Sequence, residues 1–457
     1  MTREEKLSFL VDNKSLASEK LIWQQLMPDE HGDWLNKRLG GDYDKYPRIG
    51  DKKDKNGEFD KVFYDQYSPG VQTARDAWCY NYSKADLIKN MKETTLFYNE
   101  QRTALALHLI SEPNMDPSRI KYCSNVLSDL HKNKEFIFTD DNVVQALYRP
   151  YCKQWLYYSR EWNHRVGLIP NLFNKFYNSR PECNRTICIC GLSTKKTFSC
   201  VMGKEIPDLN IMDATSQCFP LYVYIENNNS TKTKKQRTLF GGGQKEQEYS
   251  ANQYNRTSGI TDWILDRTRK RYGHDEIMKE DIFYYVYGIL HCPSYREKYQ
   301  NDFKKALPRI PFVERYEDFI AFMKAGRELG DLHCNYEECP MNTTAQIIED
   351  GSQNYIIDKL RPVGKGNFTE LKYNGHITIK NIPPEAHEYI VNGRSPLGWI
   401  IDQYQISIDK DSGIKNDPND WCREHNNPRY ILELIMRVIE VSVRTVCIVK
   451  NLPKVNV

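Results

Sequence analysis

The sequence predicts a mixed α/β (α+β) fold of two subdomains, without a complete Rossmann-type methyltransferase core. Three observations predict it. Apolar residues recur at helical spacing near both ends, as at Leu7, Leu10 and Val11 and across Ile431–Val449. Short β-prone runs fill the middle, such as Thr186-Ile-Cys-Ile-Cys190 and Pro220-Leu-Tyr-Val-Tyr-Ile225. Strands and helices do not alternate in βαβ order. The 457 residues suffice for two or three domains with sizeable cores.

Taken in order, residues 3–27 read as one or two helices, and Met27 to Asp60 as polar loops around Trp34. Helices are expected at 84–110 and around 117–132, then short strands at Phe136-Ile-Phe138, 186–190 and 220–225. Asn227 to Gln253 combines Asn227-Asn-Asn-Ser-Thr231, a Lys/Arg cluster and Gly241-Gly-Gly243 with few apolar residues, the composition of a long linker. Helices are expected again at 260–271, 279–291, 294–306 and 315–329. Strands follow at Tyr355-Ile-Ile357, Leu371-Lys-Tyr373 and His376–Ile379, where Asn374-Gly375 is a hairpin signal. Helical periodicity returns at Trp399–Gln405 and Arg429–Val443. The expected organisation is therefore 1–60, a helical and loop region; 61–226, an α/β N-terminal subdomain; 227–253, a basic, Gly-rich linker; and 254–457, an α+β C-terminal subdomain.

Composition excludes several classes. A net charge of +3 rules out a polycation that wraps nucleic acid, so nucleic-acid binding needs cations segregated onto one face. Thirteen irregularly spaced cysteines in a long chain read as reduced thiols. Arg3, Glu4, Glu5 and Lys6 break any apolar signal core. Glu433, Arg437, Glu440 and Arg444 make the longest apolar tract amphipathic rather than membrane-spanning.

Catalytic signals are sparse. No glycine-rich turn follows a strand, no P-loop occurs, and Asn381-Ile-Pro-Pro-Glu385 has an intervening Ile and no aromatic to hold a flipped base, so it reads as a turn. Cys188 and Cys190 lack a second paired knuckle for zinc. Asp358 with Glu370-Leu-Lys372 mimics a metal-dependent nuclease, but any charged hairpin yields that spacing, and a solvated strand is the better reading.

Basic clusters carry more weight. Lys232, Lys234, Lys235 and Arg237 crowd the linker. Arg267, Lys270 and Arg271 fall at i, i+3 and i+4 of an expected helix, with Arg269 beside them. Either these faces neutralise phosphates or they are ordinary solvated surface. The stretch Tyr148–Arg160 interleaves four tyrosines and Trp155 with Arg149, Lys153 and Arg160. Either its rings stack on bases, or it forms core strands with cationic edges. Arg75 either touches phosphate or organises a buried turn with Asp76. Lys195 and Lys196 form a polar turn that either approaches a groove or stays an exposed hairpin.

A longer pattern spans most of the chain. It runs from His31-Gly-Asp-Trp-Leu-Asn36 through Gly70–Trp78, Tyr148-Arg-Pro-Tyr151 and Gln217–Tyr222 to Asp281–Phe312, Asp331–Glu337 and Ser412–Asn419. These ordered markers resemble the C-terminal target-recognition (specificity) region of type ISP single-chain restriction-modification enzymes, of the helicase/adenine N6-methyltransferase family. The resemblance implies two subdomains around a DNA cleft. It also implies sequence-specific reading of double-stranded DNA for a phage-defence enzyme of the prokaryotic cytoplasm. Methylation and cleavage would then belong to an N-terminal methyltransferase and helicase-nuclease portion, in cis or as a separate chain. S-adenosylmethionine, ATP and Mg would serve that portion, with no cofactor, catalytic residue or membrane contact in this chain. The rival expectations are a metal-dependent nuclease using Asp358, Glu370 and Lys372, and an interaction scaffold that does not bind DNA.

Overall fold

The computed structural model describes residues 2–14, 18–19, 21–35, 37–39, 41, 43–51, 61–173, 184–192, 194–226, 254–364 and 367–455. These form thirteen α-helices and several small sheets, none closed into a barrel, so the fold is mixed α/β as expected.

Helix α1 (Arg3–Asn13) starts in a capping box between Thr2 and Glu5 and buries no side chain. Strands β1 (Arg48–Gly50) and β2 (Val62–Tyr64) pair in parallel. Next come α2 (Asp76–Cys79), β3 (Tyr80–Asn81), α3 (Lys84–Ala106) and α4 (Ser124–His131). The aromatic stretch then folds as β4 (Val143–Arg149) and β5 (Cys152–Tyr157), joined by a tight turn with Tyr151 at φ 61°. After α5 (Ile169–Leu172), strands β6 (Thr186–Ile189) and β7 (Cys200–Gly203) pair, β8 (Ile206–Pro207) adds to β4, and β9 (Gln217–Pro220) flanks β6. β10 (Tyr222–Glu226) pairs antiparallel with β11 (Tyr254–Ser258), from Tyr222 opposite Ser258 to Glu226 opposite Tyr254. The expected linker 227–253 lies outside the described residues.

Helices α6 (Asp262–Tyr272), α7 (Lys279–His291), α8 (Pro293–Lys298) and α9 (Tyr316–Cys334) follow. α7 is buried without a break from Ile282 to His291, as its continuous apolar and aromatic sequence requires. It crosses α9 closely, because Gly288 faces the Phe322 carbonyl and Gly326 faces the Tyr284 carbonyl with no Cβ between. Strands β12 (Gln346–Glu349), β13 (Arg361–Gly364), β14 (Asn367–Lys372) and β15 (Ile377–Lys380) form an antiparallel sheet ordered β12-β15-β14-β13. Asn374 and Gly375 lie in the four-residue turn between β14 and β15, where the sequence predicts a hairpin, but neither takes the positive φ of a two-residue Asn-Gly turn. The chain ends with α10 (Glu385–Glu388), α11 (Pro396–Gln403), β16 (Ser407–Ile408), β17 (Lys415–Asn416), α12 (Pro418–Glu424) and α13 (Tyr430–Lys450). Two expected strands are absent. Phe136-Ile-Phe138 and Tyr355-Ile-Ile357 pair with no strand.

Three apolar clusters form the core of the described residues, and two of them mix buried residues from both sides of 227–253. One joins Tyr82, Val201 and Cys218 to Ile379, Leu397 and Ile439. A second joins Tyr43, Phe63 and Phe219 to Phe283, Phe322 and Val455. The third gathers Val71, Leu87, Phe136, Leu156 and Trp162, with Ile414 packed against it. Polar joints repeat the pattern. The Glu424 carboxylate accepts bonds from the Lys84 and Ala85 amides at 2.9 and 3.1 Å and from the Ser83 hydroxyl at 3.0 Å, so α12 supplies an anion to the start of α3. Residues 61–226 and 254–457 thus contribute jointly to two of the three clusters, and the buried members of the third come from 61–226. Among the described residues, no helix is long and apolar enough to cross a membrane.

Candidate nucleic-acid interface

α6 begins where β11 ends. Thr261 caps it, accepting from the Ile264 amide at 3.4 Å and donating to the Val62 carbonyl at 2.7 Å, which ties the helix to β2. Ile264 and Thr268 face inward, so Trp263 and Arg267, one turn apart, face out. The Arg267 guanidinium lies 5.1 Å from the Trp263 ring centroid and 5.6 Å from that of Phe312.

This helix face walls an open cleft of about 470 Å³, whose other lining includes Lys45, Arg48, Lys61 and Arg309. Backbone pairing builds it. The Ile49 amide donates to the Pro308 carbonyl at 2.8 Å, and the Ile310 amide donates to the Pro47 carbonyl at 2.9 Å. Arg309 donates to the Asp44 and Tyr46 carbonyls at 2.9 Å each, with its second terminal nitrogen 3.4 Å from the Asp44 carboxylate. Arg48 pairs with Asp51. Burial, then the charge of Arg48, pulls Arg309 below the usual guanidinium range, the signature of crowded cations. Among the described lining residues, Lys45, Arg48, Lys61, Arg267 and Arg309 stand with the carboxylates of Asp44 and Asp51, so this part of the lining is net positive. A concave cationic wall beside Tyr46 and Trp263 suits a phosphodiester backbone.

The other expected contacts scatter. Arg75 is 1% exposed and donates to the Lys121 carbonyl at 2.9 Å, the Cys123 thiol at 2.9 Å and the Trp162 carbonyl, so it organises the fold rather than meeting phosphate. Arg149 is paired at 2.7 Å with Asp208, whose carboxyl burial pushes up to about 6 while Arg149 opposes the rise. Tyr80 donates to the same carboxylate at 3.2 Å. Lys153 is buried between Glu205 and Glu337, at 2.7 Å from each. The aromatic stretch is thus core strand, with Tyr151 and Tyr157 fully buried, and its cations are internal joints. Arg160 stays exposed.

Lys195 and Lys196 are exposed on the turn after β6, and Lys196 reaches Asn392 at 3.4 Å. Arg269 closes the end of α6 on the Ile277 carbonyl at 2.9 Å, and Arg271 donates to the Val313 carbonyl at 3.2 Å. Lys270 is exposed. Lys232, Lys234, Lys235 and Arg237 lie outside the described residues. Sequence reading found Arg267 but missed Lys45, Arg48, Lys61 and Arg309, which only the fold brings together.

The nuclease-like residues lie on two neighbouring stretches of the chain. Asp358 is exposed in a coil, while Glu370 and Lys372 lie on β14. Among the described residues, the trio of possible metal ligands within 4.8 Å of one another is Glu30, His31 and Asp44, all exposed and none of them from this set. Cys188 and Cys190 are buried free thiols, as expected.

Comparison with known proteins fits this geometry. No curated protein matches the chain. The fold is similar to a nuclease-deletion mutant of the Type ISP restriction-modification enzyme LlaGI in complex with a DNA substrate mimic, at TM-score 0.81 and 30% identity, covering 100% of this chain and 38% of that one. It is similar to the ATP-dependent Type ISP restriction-modification enzyme LlaBIII bound to DNA, at TM-score 0.83 and 30% identity, covering 100% of this chain and 27% of that one. A DrdV–DNA complex matches at TM-score 0.79 and 26% identity, covering 99% of this chain and 42% of that one. The chain therefore spans less than half the length of each of these structures. The model of the Type ISP C-terminal specificity domain matches residues 62–434, and the chain belongs to that family.

Proposed function

We propose that this chain recognises a short double-stranded DNA sequence on behalf of a type ISP-like restriction-modification enzyme. The observation that carries the reading is the match of residues 62–434 to a specificity domain. The DNA-bound state of the similar structures supports it, as does the cationic cleft. On this reading, Lys45, Lys61 and Arg267 hold backbone phosphate and fix register, while other side chains read base edges. Methyl transfer and cleavage, with S-adenosylmethionine, ATP and Mg, belong to a portion of the enzyme outside this chain. The Asp358, Glu370 and Lys372 nuclease draws no support from the trio of possible metal ligands among the described residues, which contains none of them.

The test is selection of bound duplexes from a random-sequence pool, with affinity measured by fluorescence anisotropy at two salt concentrations. Enrichment of one short motif is expected. The Lys61→Gln/Arg267→Gln variant should weaken binding to all sequences, and each lost phosphate contact should flatten the log K against log salt slope by about 0.9. Failure of the unmodified chain to enrich any motif overturns the reading.

A further inference from the structure

The β10–β11 ribbon has a surface that the core does not use. Its root is fixed, with Val223 and Tyr224 each 2% exposed and Asn184 bonded to both the amide and the carbonyl of Tyr222. Its outer strand is different. β11 pairs with β10 and with no other strand among the described residues, and Asn255, Arg256 and Thr257 on it are exposed. Antiparallel register puts Asn255 opposite Ile225 and Thr257 opposite Val223 on one face. Arg256 lies opposite Tyr224 on the other face, its guanidinium 4.4 Å from the Tyr222 ring. Ile225, 47% exposed, is a large apolar side chain beside the Asn255 amide.

The Asn255 face has a direct chemical match. Asn pairs with the adenine edge, a hydroxyl also bonds to base edges, and an apolar side chain packs on the thymine methyl. The major groove of DNA, about 12 Å wide, admits a two-stranded ribbon. The ribbon also runs through Gly259 and Ile260 straight into Thr261, the cap of the helix whose Trp263 and Arg267 wall the cationic cleft. A backbone grip and a groove-sized ribbon are therefore contiguous.

We propose that the β10–β11 ribbon enters the major groove and that Asn255 and Thr257, which share one face, read base edges there. The proposal rests on the DNA-reading function above and adds which element reads. Duplex selection with the full 457-residue chain tests it, comparing the unmodified protein with Asn255→Ala, Arg256→Gln and Thr257→Ala. All three substitutions lie on an exposed strand, so circular dichroism and melting temperature should not move. Asn255→Ala and Thr257→Ala are each expected to lose preference at one or two positions of the selected motif, by about 5- to 150-fold per position, and Arg256→Gln, on the opposite face, to keep the motif. The remaining positions and the salt slope should stay unchanged for Asn255→Ala and Thr257→Ala. Arg267→Gln, by contrast, should weaken every sequence alike. If the unmodified chain and the Asn255→Ala and Thr257→Ala variants select the same motif with equal preference, the ribbon proposal falls and the DNA-reading function stands. If the unmodified chain selects nothing, both fall.

Discussion

Lys153 separates an internal joint from a surface contact, and Lys153→Met tests which it is. The ammonium lies 2.7 Å from Glu205 and 2.7 Å from Glu337, with only 7% of its side chain exposed. Burial works against its charge, but the two carboxylates outweigh that and raise its pKa. The joint ties β5 to the segment before β8 and to the end of α9. Met keeps the volume and deletes the cation, leaving two partly buried carboxylates facing each other. Removing one partner of a buried ion pair costs about 3–5 kcal/mol. Unfolding entropy of about 2.1 cal/mol/K per residue gives roughly 1 kcal/mol/K for a chain of this size, so Tm should fall by about 3–5 °C. Calorimetry measures that drop. Adding Glu205→Gln and Glu337→Gln should restore most of it, because the stranded charges are removed. DNA affinity of the folded Lys153→Met protein should keep its salt dependence. An unchanged Tm with a salt slope flattened by about 0.9 would refute the reasoning and make Lys153 a phosphate contact.

Three further outcomes follow from the packing. His333 is fully buried, with Tyr287 Oη 2.6 Å from its Nδ1 and Thr445 Oγ1 2.9 Å from its Nε2. Burial, then the charge of Arg296, lowers its pKa to about 3 from the ordinary 6.5. Between those values the unfolded chain binds more protons than the native one, so stability is complete above pH 6.5 and declines as pH falls towards 3. Urea midpoints from pH 6 to 4 should show His333→Gln declining less steeply than the unmodified chain by about 1.4 kcal/mol per pH unit. Equal slopes would mean that the imidazole is not held neutral. At the α7–α9 crossing, Gly326→Ala drives a methyl into the Tyr284 carbonyl and should cost about 1–3 kcal/mol by overpacking. Gly375→Ala, with nothing within 4 Å of the added methyl, should leave the melting curve in place.

Which parts of this fold are legible in the sequence depends on where each residue finds its partner. Helices α3, α6, α7, α9 and α13 fall close to their expected spans, since their apolar spacing is a local property. Tyr355-Ile-Ile357 is β-prone yet joins no ladder, because side-chain amides do the strand's work. Asn419 accepts from the Ile357 amide at 2.8 Å and donates to its carbonyl at 3.0 Å, and Asn374 donates to the Ile356 carbonyl at 3.0 Å. Phe136-Ile-Phe138 misleads differently. Phe136 stacks on Tyr98 at 4.0 Å and meets Trp162 edge-on, so it is apolar as a plug rather than as a strand.

The cations follow the same logic at longer range. Arg149 and Lys153 look like interface residues because their neighbours in sequence are tyrosines, but their counter-charges are Asp208, Glu205 and Glu337, far along the chain. Arg48 and Arg309 carry no local signal at all, yet an isolated backbone bridge between these two residues brings them to one cleft. A basic residue in sequence states only that a charge exists. Whether it is a joint or a contact is decided by whether the fold delivers a carboxylate to it. The cleft is a candidate interface because, among the described residues lining it, five cations stand with two carboxylates, whereas Lys153 receives two for itself.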